Sequence, residues 1–360
     1  MIDEYNLKSK SSGDVKCASC GGSMEFNPEL QVLKCVQCGS VIDFASDEPV
    51  IKKDFDNVEK EFQSWDNESV LIKCENCGAK EVVNSKNIAH KCSFCGSSKI
   101  IPATELPGLK PNGVLPFSVT EKKATSNFMA WLKKKWFTPN DLKTKARINV
   151  FSGVYTPTWS YDSNVHTDYK GVLERTETRT GHDGKMETYT VSIPVKGSRD
   201  DDFVDVLVPV GQKIDRVSFE RLQPFNFKTL RIYDKNYLAG FAANHYSINS
   251  TEAWKTAIMY MKSAITTRIL RRHNAERVRY LDMDMVHKNN KYSYLLLPIW
   301  VCNYYYKEKL YNFFINGNTG KVTGKVPRSA IKIILFVLFI LAAIIGLNFL
   351  VPLLGGNMLP

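Results

Sequence analysis

Four short stretches of this chain put two cysteines three positions apart: Cys17 and Cys20, Cys35 and Cys38, Cys74 and Cys77, Cys92 and Cys95. Fourteen residues separate the pairs in each half, and the second set repeats the first 57 positions further on. Two thiolates with two residues between them can curl into a knuckle aimed at one ion, and a second knuckle completes the tetrahedron that zinc prefers. A glycine follows every pair, at Gly21, Gly39, Gly78 and Gly96, where the turn calls for a residue that accepts positive φ. The expectation is two structural Zn2+ ions, one on Cys17, Cys20, Cys35 and Cys38 and one on Cys74, Cys77, Cys92 and Cys95. Four protein ligands leave no open position, so these metals are expected to fold the chain rather than to catalyse.

Competing uses of the cysteines fit less well. A disulfide framework belongs to an oxidising compartment, whereas evenly repeated pairs without a signal peptide favour a reducing one. A redox pair would open a helix after a strand, and none of the four has that setting. His90, close to Cys92, reads as a surface residue of the ribbon because four thiolates already fill the shell. Cys302, the ninth cysteine, stands alone in an apolar stretch and reads as a buried thiol.

Around these knuckles the chain divides into a flexible start (1–14), a first zinc ribbon (15–45), a charged linker (46–70) and a second ribbon (71–104). Val58, Phe62 and Trp65 lie at helical spacing inside the linker. Prolines mark a boundary near residue 110, and an α+β domain with an antiparallel sheet follows over 105–330. There Thr120 caps a helix that runs to about Trp136 before Pro139. Asn249 and Glu252 cap a second, from Ser250 to His273. Alternating residues on both sides of Asp183-Gly184 predict a hairpin, and strands resume at "YSYLLLPIWVCNYYYKEKLYNFFINGNTGKVTG". Pro157-x-Trp159 and Pro298-x-Trp300 echo one another, and chance accounts for two matched positions as well as duplication does.

From Ile333 to Leu354 there is no charge in 22 residues. A helix of that length, at ~1.5 Å per residue, crosses the ~30 Å hydrocarbon layer, so a transmembrane helix is expected over 331–354 with a short tail at 355–360. Lys321, Lys325, Arg328 and Lys332 precede it, which places the bulk of the chain on the cytoplasmic side of a cell membrane, with these four as contacts to anionic lipid headgroups.

The overall charge of +11 is uneven: residues 1–110 hold 13 Lys and no Arg against 17 Asp and Glu, a net −4, and the remainder carries +15. Phosphate binding rests on Lys and Arg, and Arg is the usual reader of base edges. An Arg-free acidic ribbon pair therefore argues against nucleic acid. Neither a phosphate loop nor a nucleophile elbow is present, His166, His182, His245 and His287 have no motif partners, and no enzyme is expected. Asp200, Asp201 and Asp202 read as a solvated loop, and "RILRRH" at 268–273 as cations favoured by a helix end.

The paired ribbons, the block "LPIW…YKEKLYNFFINGNTGKVTG" and the single C-terminal span together resemble a bacterial group of TFIIB-type zinc-ribbon membrane proteins, the YdjG-like family. The resemblance covers most of the chain, and the block is its most specific part, with Asn318 where the family form has glutamine. Labels such as replication-restart helicase or primosomal protein occur in that group, yet this chain has no helicase nucleotide motif. The resemblance implies work in a membrane or envelope-stress complex with PspA-like and SPFH or virion-core-like partners. The expected function is a membrane-anchored, cytoplasm-facing adaptor; the alternative is a membrane-tethered nucleic-acid-binding protein of replication or transcription. With a boundary near residue 110, loss of zinc is expected to unfold the ribbons alone.

Overall fold

The computed structural model describes residues 15–355 except 47, 56–68, 85–90, 103–108, 146–147, 181–184, 212–213, 245, 247 and 308. The expected flexible start, the helical spacing at Val58, Phe62 and Trp65, His90, His182, His245, the Asp183-Gly184 turn and the tail after Gly355 lie outside these residues.

The first ribbon is a four-stranded antiparallel sheet of β1 (Val15–Lys16), β2 (Ser23–Asn27), β3 (Val32–Cys35) and β4 (Val41–Ile42). After it, β5 (Lys53–Asp54) pairs with a strand of the main sheet, so this part of the linker is docked. Lys52 beside it places Nζ 2.6 Å from Asp162 and 2.8 Å from Asp205, and Phe55 stacks among Tyr161, Trp254 and Tyr292. Burial alone would lower the Lys52 pKa, but the two carboxylates raise it.

The second ribbon consists of β6 (Ser69–Cys74), β7 (Lys80–Asn84) and β8 (Ile100–Pro102). It is not a separate sheet. β7 joins the main sheet through a short strand at Ala242–Asn244, with Val82 opposite Ala243 and Glu81 opposite Asn244.

The body continues through β9 (Gly113–Val114), α1 (Glu121–Lys133), α2 (Asn140–Lys145), β10 (Ile148–Thr180) and β11 (Met186–Pro209). Then come α3 (Arg216–Leu222), β12 (Arg231–Ile232), β13 (Ala242–Asn244), α4 (Ser250–Arg272) and β14 (Arg277–Tyr306). The chain ends with β15 (Lys309–Asn316), β16 (Val322–Gly324) and α5 (Ala330–Gly355). The class is α+β with antiparallel pairing, as expected, apart from short parallel pairings of β9 with β14 and of β13 with β10.

The long strands β10 and β14 form the spine. One face carries Tyr155, Trp300 and Cys302, with Phe313 of the neighbouring β15, packed with Met24, Phe26 and Leu33 of the first ribbon. The other carries Val154, Leu297, Ile299 and Val301, packed with Ala79 and Phe94 of the second ribbon and Phe219 of α3. A strand pair buried on both faces needs a cover on each, and the ribbons supply part of both. They are therefore built into the core of the body, one on each face of the spine, rather than modules on a spacer.

Beyond the spine, β11, β10 and β14 extend together as a three-stranded arm. Ala253, Ala257, Met261, Ile265 and Ile269 recur every fourth residue, so they share one face of α4. That face lies on Tyr161, Val165, Tyr169 and Leu173, the alternate residues of β10 that share one side of the arm. Asn249 caps α4 by accepting the Glu252 N–H at 2.8 Å. Thr120 caps α1, which stops at Lys133, three residues short of the expected Trp136; a separate helix, α2, starts after Pro139.

The Trp159 and Trp300 echo is structural. Trp300 donates its indole N–H to Val119 O at 2.9 Å, just before the cap of α1, and Trp159 donates to Ile248 O at 3.2 Å, just before the cap of α4. Phe117 and Tyr246 meet these indoles edge-on. β9 pairs parallel with β14 as β13 does with β10. Each half, a short strand, a helix and a long strand, thus lends its short strand to the other half.

The Asn316-Gly317-Asn318-Thr319-Gly320 block closes this body. Asn316 is fully buried. Its amide donates to Leu222 O and Pro224 O and accepts from the N–H groups of Asn318 and Thr319. A Cβ on Gly317 would lie 2.5 Å from the Phe117 ring. Replacing Asn316 with Ala strands these buried partners and is expected to cost about 3 kcal/mol in denaturant unfolding; a loss below ~1 kcal/mol would show that the turn does not depend on this amide.

Candidate metal centres

Each knuckle is built by the same two backbone hydrogen bonds. Cys17 N–H reaches Gly22 O and Gly21 N–H returns to Cys17 O, both at 2.8 Å. The pattern recurs at Cys35 with Ser40 and Gly39, at Cys74 with Ala79 and Gly78, and at Cys92 with Ser97 and Gly96. The four glycines have φ between 70° and 76°, the left-handed region where a Cβ is strained.

The knuckles bring the eight expected cysteines into two groups, each with its sulfurs within 4.8 Å of one another. In the first, Cys17 and Cys38 are 3.6 Å apart and Cys20 and Cys35 3.5 Å. In the second, Cys74 and Cys95 are 3.7 Å apart and Cys77 and Cys92 3.5 Å. A tetrahedron with ~2.3 Å metal–sulfur bonds has edges of ~3.8 Å, whereas a disulfide needs ~2.05 Å. Each group has the geometry to hold one metal ion.

The centres differ in setting. Cys17 and Cys35 are buried while Cys20 and Cys38 face solvent, and the Ser40 hydroxyl, 3.1 Å from Cys38 Sγ, lowers that thiol to about 6. In the second, burial pushes Cys92 up, and Asn76 donates to Cys95 at 3.5 Å. Glu81, 2% exposed, accepts from the N–H and the hydroxyl of Ser93, both at 3.0 Å, beside Cys92. The first ribbon has Met24 and Val36 at the corresponding places. Ser40, Asn76 and Glu81 were not singled out in the sequence; their signal is polarity one to four residues from a ligand.

Cys302 is fully buried, and burial raises it to about 12, in keeping with an unreactive core thiol. Asp200, Asp201 and Asp202 are not a loop, since they lie in β11 and alternate across it. Asp200 meets His166 at 2.6 Å on the open face and raises its pKa. Asp201 points inward at 6% exposure, held by Arg199 and by Arg268 at 2.6 Å. Arg268 of "RILRRH" is thus an ion-pair partner, and His273 meets the Tyr169 hydroxyl at 3.1 Å.

Burial alone would raise the Asp201 pKa, but the two guanidiniums hold it below the usual carboxylate range. A depressed native pKa gives stability that is present above the unfolded value and lost as pH falls through the native one. Asp201→Asn is expected to cost about 3 kcal/mol at neutral pH by urea unfolding and to flatten the acid limb. An unchanged midpoint and acid limb would remove this role.

A depression beside the bulge at Tyr161 and Ser163 is lined by Asp54, Asp162, Asn164, Asp202, Asn289 and Lys291, among others, with no histidine or cysteine in its wall among the described residues.

Lys321 donates to Gln223 O. Lys332 Nζ donates to Trp136 O at 3.2 Å, Thr138 O at 2.7 Å and Asn140 Oδ1 at 2.7 Å. Lys325 and Arg328 are exposed. The segment expected to span a membrane at 331–354 is helical in α5, a 26-residue helix. Its side chains are described as far as Gly346, and among the described residues no helix is long and apolar enough to cross a membrane. What is seen is a helix, not a crossing.

No family model matches the chain, and no solved structure matches it. The chain is similar to the uncharacterized protein YdjG of Bacillus subtilis (strain 168), 29% identical over 302 residues, which are 75% of this chain and 88% of that protein. That likeness extends well beyond the cysteine pairs, and it supports placing the chain in a YdjG-like family.

Proposed function

We propose that this protein is a membrane-anchored adaptor in which two structural zinc ions stabilise a cytoplasm-facing body that binds other proteins. The observation that carries the reading is α5. Lys332 apart, its described side chains from Ile331 to Ile345 are apolar and exposed, from Ile331 at 71% through Phe339 at 69% to Ile345 at 57%. A helix that is apolar all round is covered by protein or by lipid, and here the body meets its base, through Lys332 and the Phe137–Phe336 contact. The uncharged sequence from Ile333 to Leu354 and a helical backbone running to Gly355 favour lipid.

Zinc is the metal this reading assigns to both centres, because four thiolates at tetrahedral spacing suit it and leave no site for substrate. The TFIIB-type ribbon, the envelope-stress setting and PspA-like or SPFH-like partners belong to the resemblance and are part of this proposal. Membranes from cells making the full chain are to be extracted with alkaline carbonate and treated with protease from either side. Retention in the pellet with the body cut only from the cytoplasmic side is expected; release by carbonate would overturn the anchor. The nucleic-acid alternative is tested by a salt-dependent gel shift with the full chain in detergent, where tight binding with a steep salt slope would favour it.

A further inference from the structure

The turn between α1 and α2 is tied to the first turn of α5. Lys332 Nζ is shared by Trp136 O, Thr138 O and Asn140 Oδ1, Ser329 N–H donates to Phe137 O at 2.8 Å, and the Phe137 ring meets Phe336 at 5.4 Å. These contacts fix the level of the turn relative to the apolar helix. Lys133, Lys134 and Lys135 precede Trp136 there, all are exposed, and Trp136 at 72% is the most exposed aromatic of the described residues.

Three lysines and an uncovered tryptophan beside the base of an apolar helix match the chemistry of a bilayer interface. The indole sits at headgroup depth, and ammonium groups meet lipid phosphates. Lys332, expected from sequence to touch lipid, instead spends its ammonium on the clamp.

We propose that Lys133, Lys134, Lys135 and Trp136 form a second membrane contact that binds anionic phospholipid headgroups and sets the angle of the body against the bilayer. The proposal rests on the reading of α5 as an anchor and adds residues far from it in sequence. Anionic lipid is favoured over an acidic protein because the turn is fixed to the residues that would enter the bilayer.

The test uses the full chain in phosphatidylcholine–phosphatidylglycerol vesicles carrying bromine on the acyl chains. The signal of Trp136 is isolated as the difference between wild type and Trp136→Phe. Expected is a component quenched by bromine and shielded from aqueous acrylamide; in Lys133→Gln/Lys134→Gln/Lys135→Gln this quenching is lost while the chain stays in the vesicles. Two metal ions per chain in every variant report an intact body.

A chain that inserts while the Trp136 signal stays unquenched and open to acrylamide would overturn the proposal and leave the anchor standing. Shielding from acrylamide without bromine quenching would assign the turn to a neighbouring protein and also overturn it. A chain that does not insert would overturn the anchor, and this proposal with it.

Discussion

Chelation of both metals is expected to unfold the whole chain, not the ribbons alone. A structural zinc site contributes about 10 kcal/mol or more of folding free energy, comparable with the ~5–15 kcal/mol total stability of a typical domain. What turns this from a local into a global effect is packing. Cys17 and Cys35 belong to the cluster that contains Tyr155, Trp300 and Phe313, and Cys74 and Cys92 to the one that contains Val154, Ile299 and Val301. Those two clusters lie on opposite faces of the same pair of strands.

Loss of the first knuckles withdraws Phe26 and Leu33 from one face, and loss of the second withdraws Phe94 and pulls on β7, which is paired with β13. A spine buried on both faces does not survive uncovering of both. Heating with and without a strong chelator, followed by near-ultraviolet dichroism of the body tryptophans and by zinc release, is expected to give one coincident loss. A body transition that keeps its midpoint after both metals have left would mean that the core is divided near residue 110.

Removal of residues 331–360 is expected to move the protein from the carbonate-resistant membrane fraction to the supernatant. The aliphatic and aromatic side chains of α5 from Ile331 to Leu341 are exposed, and Phe336 among them meets the ring of Phe137. Burial of one such side chain is worth roughly 1.5–3 kcal/mol, and on the reading of α5 as a membrane anchor this makes the attachment effectively irreversible. The shortened chain is expected to keep two metal ions, because among the described residues neither cysteine group packs with α5. Continued sedimentation with membranes after the deletion would place the principal attachment elsewhere.

The metal centres were legible because their chemistry is local: two cysteines, two residues between them and a glycine specify a knuckle whatever surrounds it. Helix caps at Thr120 and Asn249 were legible for the same reason. The relation of the ribbons to the body was not, because nothing in the spacing of Met24 or Phe94 says that these side chains pack on strands far along the sequence. Composition suggested an acidic front half and a cationic rear half; Lys52, bridging Asp162 and Asp205, shows the two halves sharing a half-buried charge network. The run at Asp200 to Asp202 looked like solvated loop because acidic triplets usually are. Its sorting onto two faces of β11 follows from strand alternation, which depends on the hairpin register. Lys332 was placed among lipid contacts by its sequence neighbours, whereas its hydrogen bonds go to a turn almost two hundred residues earlier.

The matching arrangement of the two halves, each a short strand, a helix and a long strand, explains why one weak echo, Trp159 and Trp300, had structural weight. Each indole holds the residue before a helix cap, so each half positions its helix by the same device. The Asn316 turn closes the same body from outside by hydrogen bonds to the α3 segment, and Asn318 adds a contact to the Asn226 N–H at 2.9 Å. The most specific block of the sequence is therefore a structural lock.

The claim on which the rest depends is that both cysteine groups are closed four-sulfur sites. Metal analysis with X-ray absorption at the zinc edge, on the full chain purified without added chelator, tests it directly. Two zinc ions per chain with four sulfur neighbours at about 2.3 Å are expected. One ion per chain, or a nitrogen or oxygen neighbour in the shell, would contradict it.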